Sequence, residues 1–282
     1  MSPTPRPLPA TQPLVTVIIP VRNAGRWLPD CCASLRAQTL QAWRALLIDD
    51  GSQDNSFELA RREAERDSRF EVLRCNREAE DAAGPWLPRN HGLQQACSPW
   101  IAFLDADDLW HPQKLNAQVE ALVRQQADLC VCAYYRYADS SGRIVACRTP
   151  PAEITAASLR AVNPLPMSSV VLRRACLQDL VFRDVSHEDH DLWQRLLAAR
   201  AVRFVRLPEP YMAYRIHASN LTQGLGNRLA MKRRSLLSSQ QGVWNGMAMT
   251  GWRQLGYGLQ SLPWRWRRER LESRGFLGAD LN

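Results

Sequence analysis

Apolar residues fall along this chain in short runs, separated by stretches in which they recur every three or four positions. Val15-Thr16-Val17-Ile18-Ile19-Pro20 is the first run and predicts a strand buried on both faces. After a turn at Asn23-Ala24-Gly25, residues Trp27, Cys31, Cys32 and Leu35 share one stripe of a helix. Ala45-Leu46-Leu47-Ile48 predicts a second strand ending in Asp49-Asp50, followed by a helix capped by Asn55 or Ser56 that runs through Leu59 and Ala64. Phe70-Glu71-Val72-Leu73 is a third strand, Asn90 to Ala96 a further helix, and Trp100-Ile101-Ala102-Phe103-Leu104 a strand ending at Asp105. This alternation of strand and helix predicts a parallel sheet with right-handed crossovers.

Past Asp108 the rhythm changes. A helix from Pro112 to about Gln126 leads into Asp128 to Tyr135, a turn at Ser141-Gly142, and Arg143-Ile144-Val145-Ala146, which together predict a hairpin. Ser168 to Leu172, Phe204 to Leu207 and Tyr211 to Tyr214 predict further strands. The second half is thus a mixed α/β extension, without internal repeats.

Composition narrows the picture at the two ends of the chain. Residues 1–13 hold five prolines and no apolar run of signal-peptide length, which predicts a flexible leader outside the fold. No stretch of 18 apolar residues occurs, so no membrane span is expected. The eight cysteines form no Cys-x-x-Cys pair and no zinc-ribbon spacing, and predict buried reduced thiols in a cytoplasmic protein. Of the net charge of +8, a balance of +7 lies between Leu221 and Asn282, where ten Arg or Lys face three acids. Within that segment, Trp264, Trp266 and Phe276 mix with arginines, in a stretch that includes Leu262 to Leu271. Aromatics among arginines suit peripheral contact with an anionic membrane, and equally a basic helix packed on the main domain. No nucleic-acid reading motif is present, so no nucleic-acid partner is expected.

The candidate chemistry lies where strands end. Asp49-Asp50-Gly51-Ser52 and Asp105-Ala106-Asp107-Asp108 both stand at the C-terminal end of an apolar run. In open α/β sheets the loops leaving that rim enclose the ligand crevice. Clustered carboxylates there select a hard divalent cation, Mg2+ or Mn2+, shared with substrate phosphates. Alternation along a strand would put Asp105 and Asp107 on one side. A plainer reading makes the first cluster a turn and Asp107-Asp108 a helix cap. Ser186-His187-Glu188-Asp189 also has two readings: a capping box, or a carboxylate base, because Asp189 shares a helical face with Leu192, Trp193 and Leu196 and should point inward. His187 and His190 lack a third ligand at zinc spacing and are expected on the helix surface.

From Val15 to Thr222 the chain resembles the family 2 glycosyltransferases, inverting nucleotide-sugar enzymes of the GT-A fold. The resemblance rests on Val17-Ile18-Ile19-Pro20-Val21-Arg22-Asn23, the Asp49-Asp50-Gly51-Ser52 turn, Arg89-Asn90-His91-Gly92, the Asp105-Ala106-Asp107-Asp108 block, Glu188-Asp189 ahead of Leu192-Trp193, and Tyr214-Arg215-Ile216-His217. It implies a catalytic domain over 14–220, with a nucleotide-binding half to residue 110 and an acceptor-binding half beyond it, and a basic, Trp-rich helical extension over 221–282. The sheet would be mixed, mainly parallel and flanked by helices. By the same resemblance Asp50 contacts the base of the nucleotide, in a pocket with Pro20, Val21, Asn23 and Asp49, the last of these shared with its own turn. Arg89 lies beside the nucleotide or its phosphates. Asp107 is the expected metal ligand with Asp105 and His217, Asp105 and Ala106 meet the donor, Asp189 is the base, and Glu188 helps bind the acceptor. The implied reaction moves a sugar from a nucleotide donor, UDP-linked, to a hydroxyl of a glycan or lipid-linked glycan, in the cytoplasm or at the inner face of its membrane, within bacterial surface-polysaccharide assembly. A sugar-nucleotide pyrophosphorylase is disfavoured because Val21-Arg22-Asn23-Ala24-Gly25 is too poor in glycine to cradle a triphosphate. A non-catalytic glycan- or membrane-binding protein on the same scaffold is the other alternative.

Overall fold

The structure is a computed structural model that describes residues 13–75, 84–155, 158–159, 163–185, 187–217 and 269–276. Residues 1–12 of the leader, Ser186 and the Leu262–Arg268 part of the aromatic and basic stretch lie outside the described residues. The strands are β1 (Val15–Val21), β2 (Trp43–Asp49), β3 (Phe70–Arg74), β4 (Trp100–Phe103), β5 (Leu109–Trp110), β6 (Leu129–Ala138), β7 (Ile144–Arg148), β8 (Val170–Arg173) and β9 (Phe204–Ile216). The helices are α1 (Leu28–Arg36), α2 (Ser56–Arg66), α3 (Trp86–Gln95), α4 (Lys114–Arg124) and α5 (Glu188–Ala199).

All nine strands join one sheet in the order β3-β2-β1-β4-β8-β6-β9-β5, with β7 paired to β6. β3, β2, β1 and β4 run parallel, as the strand-helix alternation predicts. β8 is antiparallel to both β4 and β6, so the polarity changes where the second half begins. The predicted hairpin is present, with Tyr134 opposite Arg148 and Tyr135 opposite Cys147. Period-2 alternation sends Val15, Val17, Ile19 and Val21 into a core roofed by α1, α2 and α4, and Ile18 into a second core beneath α3 and α5.

Four expectations about elements change. α3 begins four residues before Asn90, because Pro85 and Pro88 fall at its N-cap and first turn, where a missing N–H costs nothing. The strands expected at 204–207 and 211–214 are one strand, whose pairing with β6 slips around Ala133, opposite the Pro208-Glu209-Pro210 stretch that lacks two N–H donors. Asp54, and not Asn55 or Ser56, receives the Ser56 N–H at 3.0 Å at the head of α2. His190 is not a surface residue: it is buried, with its ring Nε2 bonded to the Leu159 carbonyl.

The basic C-terminal stretch is described only over 269–276. There it packs on the domain: Leu271 and Phe276 are buried with Leu109, Tyr135, Tyr137, Ile144 and Ala213, and Arg270 bridges to Arg143. Among the described residues no helix is long and apolar enough to cross a membrane.

Candidate active site

The C-terminal ends of β2, β1 and β4 lie side by side, so the two acid clusters flank the end of β1. At the β1–β2 end, the loops after each strand are stitched together. Asn23 N–H donates to Ser52 Oγ (3.1 Å), Gln53 N–H donates to Asn23 Oδ1 (2.8 Å), and Gly25 N–H donates to Asp54 Oδ2 (3.1 Å). Asn23 takes a left-handed backbone (φ 49) to do this, and Gly51 (φ 72) turns the partner loop. Asp49 closes its own turn by accepting the Ser52 N–H at 3.3 Å. Asp50 is buried beside Arg22, whose Nη1 lies 3.4 Å from its carboxylate. Val21 and Ala106 turn their side chains into the core, so what they offer a ligand is backbone. Pro20 is half-buried at the same rim.

The second cluster is reached by a different route from the one expected. β4 ends at Phe103, and Asp105 to Asp108 form a turn closed by the Asp108 N–H to the Asp105 carbonyl at 2.9 Å. Strand alternation therefore does not aim Asp105 and Asp107; the turn does. Asp108 caps no helix. Its buried carboxylate accepts Ser168 Oγ–H at 2.7 Å and the Arg215 N–H at 3.1 Å, tying the turn to β9 and to the segment before β8. Burial, then Asp107 and Asp105 beside it, push the Asp108 carboxyl well up.

Register explains how His217 arrives. Leu109 pairs with Ala213 in the antiparallel β5–β9 ladder, and extending that count by two sets Arg215 against Asp107. Arg215 Nε donates to the Asp107 carbonyl (2.8 Å), and His217 Nε2 lies 2.9 Å from Asp107 Oδ2. A carboxylate and an imidazole meeting at an open rim are a suitable donor pair for Mg2+ or Mn2+. Among the described residues no three such groups already close on one point. Mg2+ sites completed by substrate phosphates do not need that third protein ligand.

Arg89 is the centre of the site. Carried into the interior by α3, it is 3% exposed. One guanidinium nitrogen donates to Asp105 Oδ1 at 2.7 Å, and another pairs with Glu188 at the head of α5. Burial opposes its charge, but Asp105, Glu188 and Asp189 outweigh that and raise its pKa. Burial pushes the Asp105 and Glu188 carboxyls up, and Arg89 pulls each back down. Asp189 is held by an uncharged donor instead: Asn163 Nδ2 donates to its Oδ2 at 2.7 Å. His187, left-handed at φ 61, turns the chain into α5 without a side-chain cap bond.

Asp50, Asp107, His217, Arg89, Glu188 and Asp189 were all candidates from the sequence, and Asp105, Arg89, Glu188 and Asp189 are brought together. Ser168, Asn163, Asp139 and Trp27 were not candidates. Ser168 and Asn163 carry no local signal, since each acts on a partner distant in sequence; Trp27, assigned to the core stripe of α1, does pack against that core, half-buried at the helix N-cap.

Comparison with known proteins identifies the family and the fold. The chain is 31% identical over 212 residues to the UDP-Glc:alpha-D-GlcNAc-diphosphoundecaprenol beta-1,3-glucosyltransferase WfgD of Escherichia coli, covering 74% of this chain and 79% of that protein. It is 29% identical over 178 residues to an uncharacterised glycosyltransferase of Haemophilus influenzae, covering 63% and 69%. Staphylococcus aureus TarS 1–349 in complex with UDP-GlcNAc superimposes with a TM-score of 0.61 at 17% identity, over 84% of this chain and 70% of that one. A Pyrobaculum calidifontis mannosyltransferase, PcManGT, in complex with GDP-Man and Mn2+, gives 0.57 at 15% identity, over 92% and 85%. These likenesses bear out the expected GT-A fold. The model of glycosyl transferase family 2 matches residues 16–174, more than half of the chain, and the protein therefore belongs to family 2 of the glycosyltransferases.

Proposed function

We propose that this glycosyltransferase moves a sugar, with inversion, from a UDP-linked donor to a hydroxyl of a lipid-linked glycan, with Mg2+ or Mn2+ at its acidic rim. The observation that carries the reading is the meeting of Asp105, Glu188 and Asp189 around the buried guanidinium of Arg89. It ties the expected donor-side acids to the helix that bears the candidate base.

In this reading Asp50, buried at the end of β2, accepts the N3 proton of uracil, a directional charged hydrogen bond. Asp107 and His217, with Asp105 nearby, would hold the divalent cation. When bound, the cation offsets the charge gathering on the departing diphosphate. Asp189 takes the proton of the acceptor hydroxyl as its oxygen bonds to the anomeric carbon, and the bond from that carbon to the diphosphate breaks on the opposite side. Asn163 holds the Asp189 carboxylate without neutralising it, which suits a base. Glu188 stays paired with Arg89 beside the acceptor.

The UDP donor draws support from the TarS complex, the cation from the PcManGT complex, and the lipid-linked acceptor from the activity in the name of WfgD. A lipid-linked acceptor would place the work at the cytoplasmic face of a membrane, where the positive charge of 221–282 adds attraction to anionic lipid.

The test is UDP release from a panel of UDP-sugars, with Mn2+ or with EDTA, in the presence of GlcNAc-diphosphoundecaprenol. Metal-dependent release with one sugar and a new glycolipid product are expected; no turnover with any UDP-sugar would overturn the donor assignment. Asp189→Asn should still bind UDP and lose transfer by about 10²- to 10⁴-fold. Normal transfer by that variant would remove Asp189 as base.

A further inference from the structure

Trp27 has a place in the site that its position in the sequence does not announce. It is the N-cap residue of α1, and its indole, a donor only, can make no cap bond to the helix N–H groups. Instead its ring stacks on His217, with centroids 4.0 Å apart and planes at 29°. The opposite edge of the indole is anchored as well: Nε1–H donates to Asp139 Oδ2 in a long bond of 3.4 Å. Asp139 is in turn fixed by Arg26 at 3.0 Å and by Arg215 Nη1 at 2.8 Å. Arg215 also reaches Asp30 of α1 at 3.3 Å. Three segments distant in sequence, the head of α1, the end of β6 and the end of β9, thus converge on one imidazole.

A histidine ring turns about two side-chain bonds, so it presents Nε2 in a given direction only when something holds its faces. Trp27 covers one face of His217, and Nε2 then lies 2.9 Å from Asp107 Oδ2. We propose that Trp27 is a positioning residue for divalent-cation binding: its stacked ring, braced by Asp139, holds His217 in the orientation that lets it act with Asp107. The proposal rests on the metal reading of Asp107 and His217 given above. Residues that orient a metal ligand typically change metal affinity 10- to 100-fold when lost.

The experiment is a Mn2+ titration of the whole chain in the presence of UDP, with free Mn2+ followed by electron paramagnetic resonance. Wild type, Trp27→Leu, Trp27→Phe, His217→Ala and the Trp27→Leu/His217→Ala double variant are compared, with thermal unfolding as a check on folding. Trp27→Leu should weaken Mn2+ about tenfold, Trp27→Phe should lose less because a ring remains to stack although its bond to Asp139 is gone, and the double variant should bind no more weakly than His217→Ala alone. Should Trp27→Leu fail to fold, the same cycle is run with Trp27→Met, whose longer, unbranched and flexible side chain adapts to the indole site. Wild-type affinity in the aliphatic variant, or a loss that adds in full to that of His217→Ala, overturns the positioning role and leaves the metal reading standing. No Mn2+ uptake by wild type overturns both.

Discussion

Lys114 is fully buried, with its ammonium over the Trp110 ring at 3.9 Å and donating to Gln118 Oε1 at 2.6 Å. No carboxylate partners it among its described contacts, and burial lowers its pKa from 10.5 to about 8. Between those two values the unfolded chain holds a proton that the folded chain has lost, so stability from this group rises with pH across that window. Below pH 8 both states are charged and the burial cost is felt in full. Wild type should therefore gain on Lys114→Met by about 2–3 kcal/mol between pH 7 and pH 10, measured by urea unfolding of both proteins. A difference that stays constant with pH would mean that Lys114 titrates normally. At this scale the sequence told residue types well and partners poorly. Asp107 and His217 were both expected as metal ligands, and they do meet. Arg89 was expected beside the nucleotide, yet its guanidinium is taken up by Asp105 and by Glu188, a partner 99 positions away that no local pattern could show.

Among the elements, α3 shows why a motif can be read correctly and its geometry missed. Gly92 of Arg89-Asn90-His91-Gly92 faces the sheet so closely that an added Cβ would stand 2.6 Å from Ile18 Cγ2 and 2.8 Å from Ile48 Cδ1. The helix can approach β1 and β2 only without a side chain there, and that approach carries Arg89 to the acids. Gly92→Ala should cost about 1–3 kcal/mol by overpacking, despite the better helix propensity of alanine, and chemical denaturation would read it. Equal or greater stability would show that α3 shifts freely. Strands buried on both faces were legible because their apolar runs are continuous; β2 and β4 fall where those runs lie. β5 was not, because two residues make no pattern, although its pairing with β9 is what delivers Arg215 and His217.

For the whole molecule, the described part of the C-terminal segment belongs to the fold. Phe276 is 4% exposed and packs edge-on against Tyr135 and His111. Phe276→Ala should cost about 3 kcal/mol, the usual toll for emptying a buried aromatic site, and would appear as a lowered midpoint in thermal unfolding. An unchanged midpoint would show the contact to be dispensable. The packed reading of that segment was one of two that the sequence left standing, since a mix of arginine and aromatic residues serves a protein face as well as a lipid one. The division of the chain into a nucleotide half and an acceptor half was drawn from motif order, and a single sheet runs across it, with β4 hydrogen-bonded to β8 and β5 to β9. That continuity has a mechanical consequence. Among the described residues, halves that share one ladder of backbone hydrogen bonds have no hinge between them, so in the proposed reaction bringing donor and acceptor together would fall to the loops at the strand ends. Exchanging those strand-end loops that bear none of the site's acids should therefore retarget the enzyme without disturbing the frame.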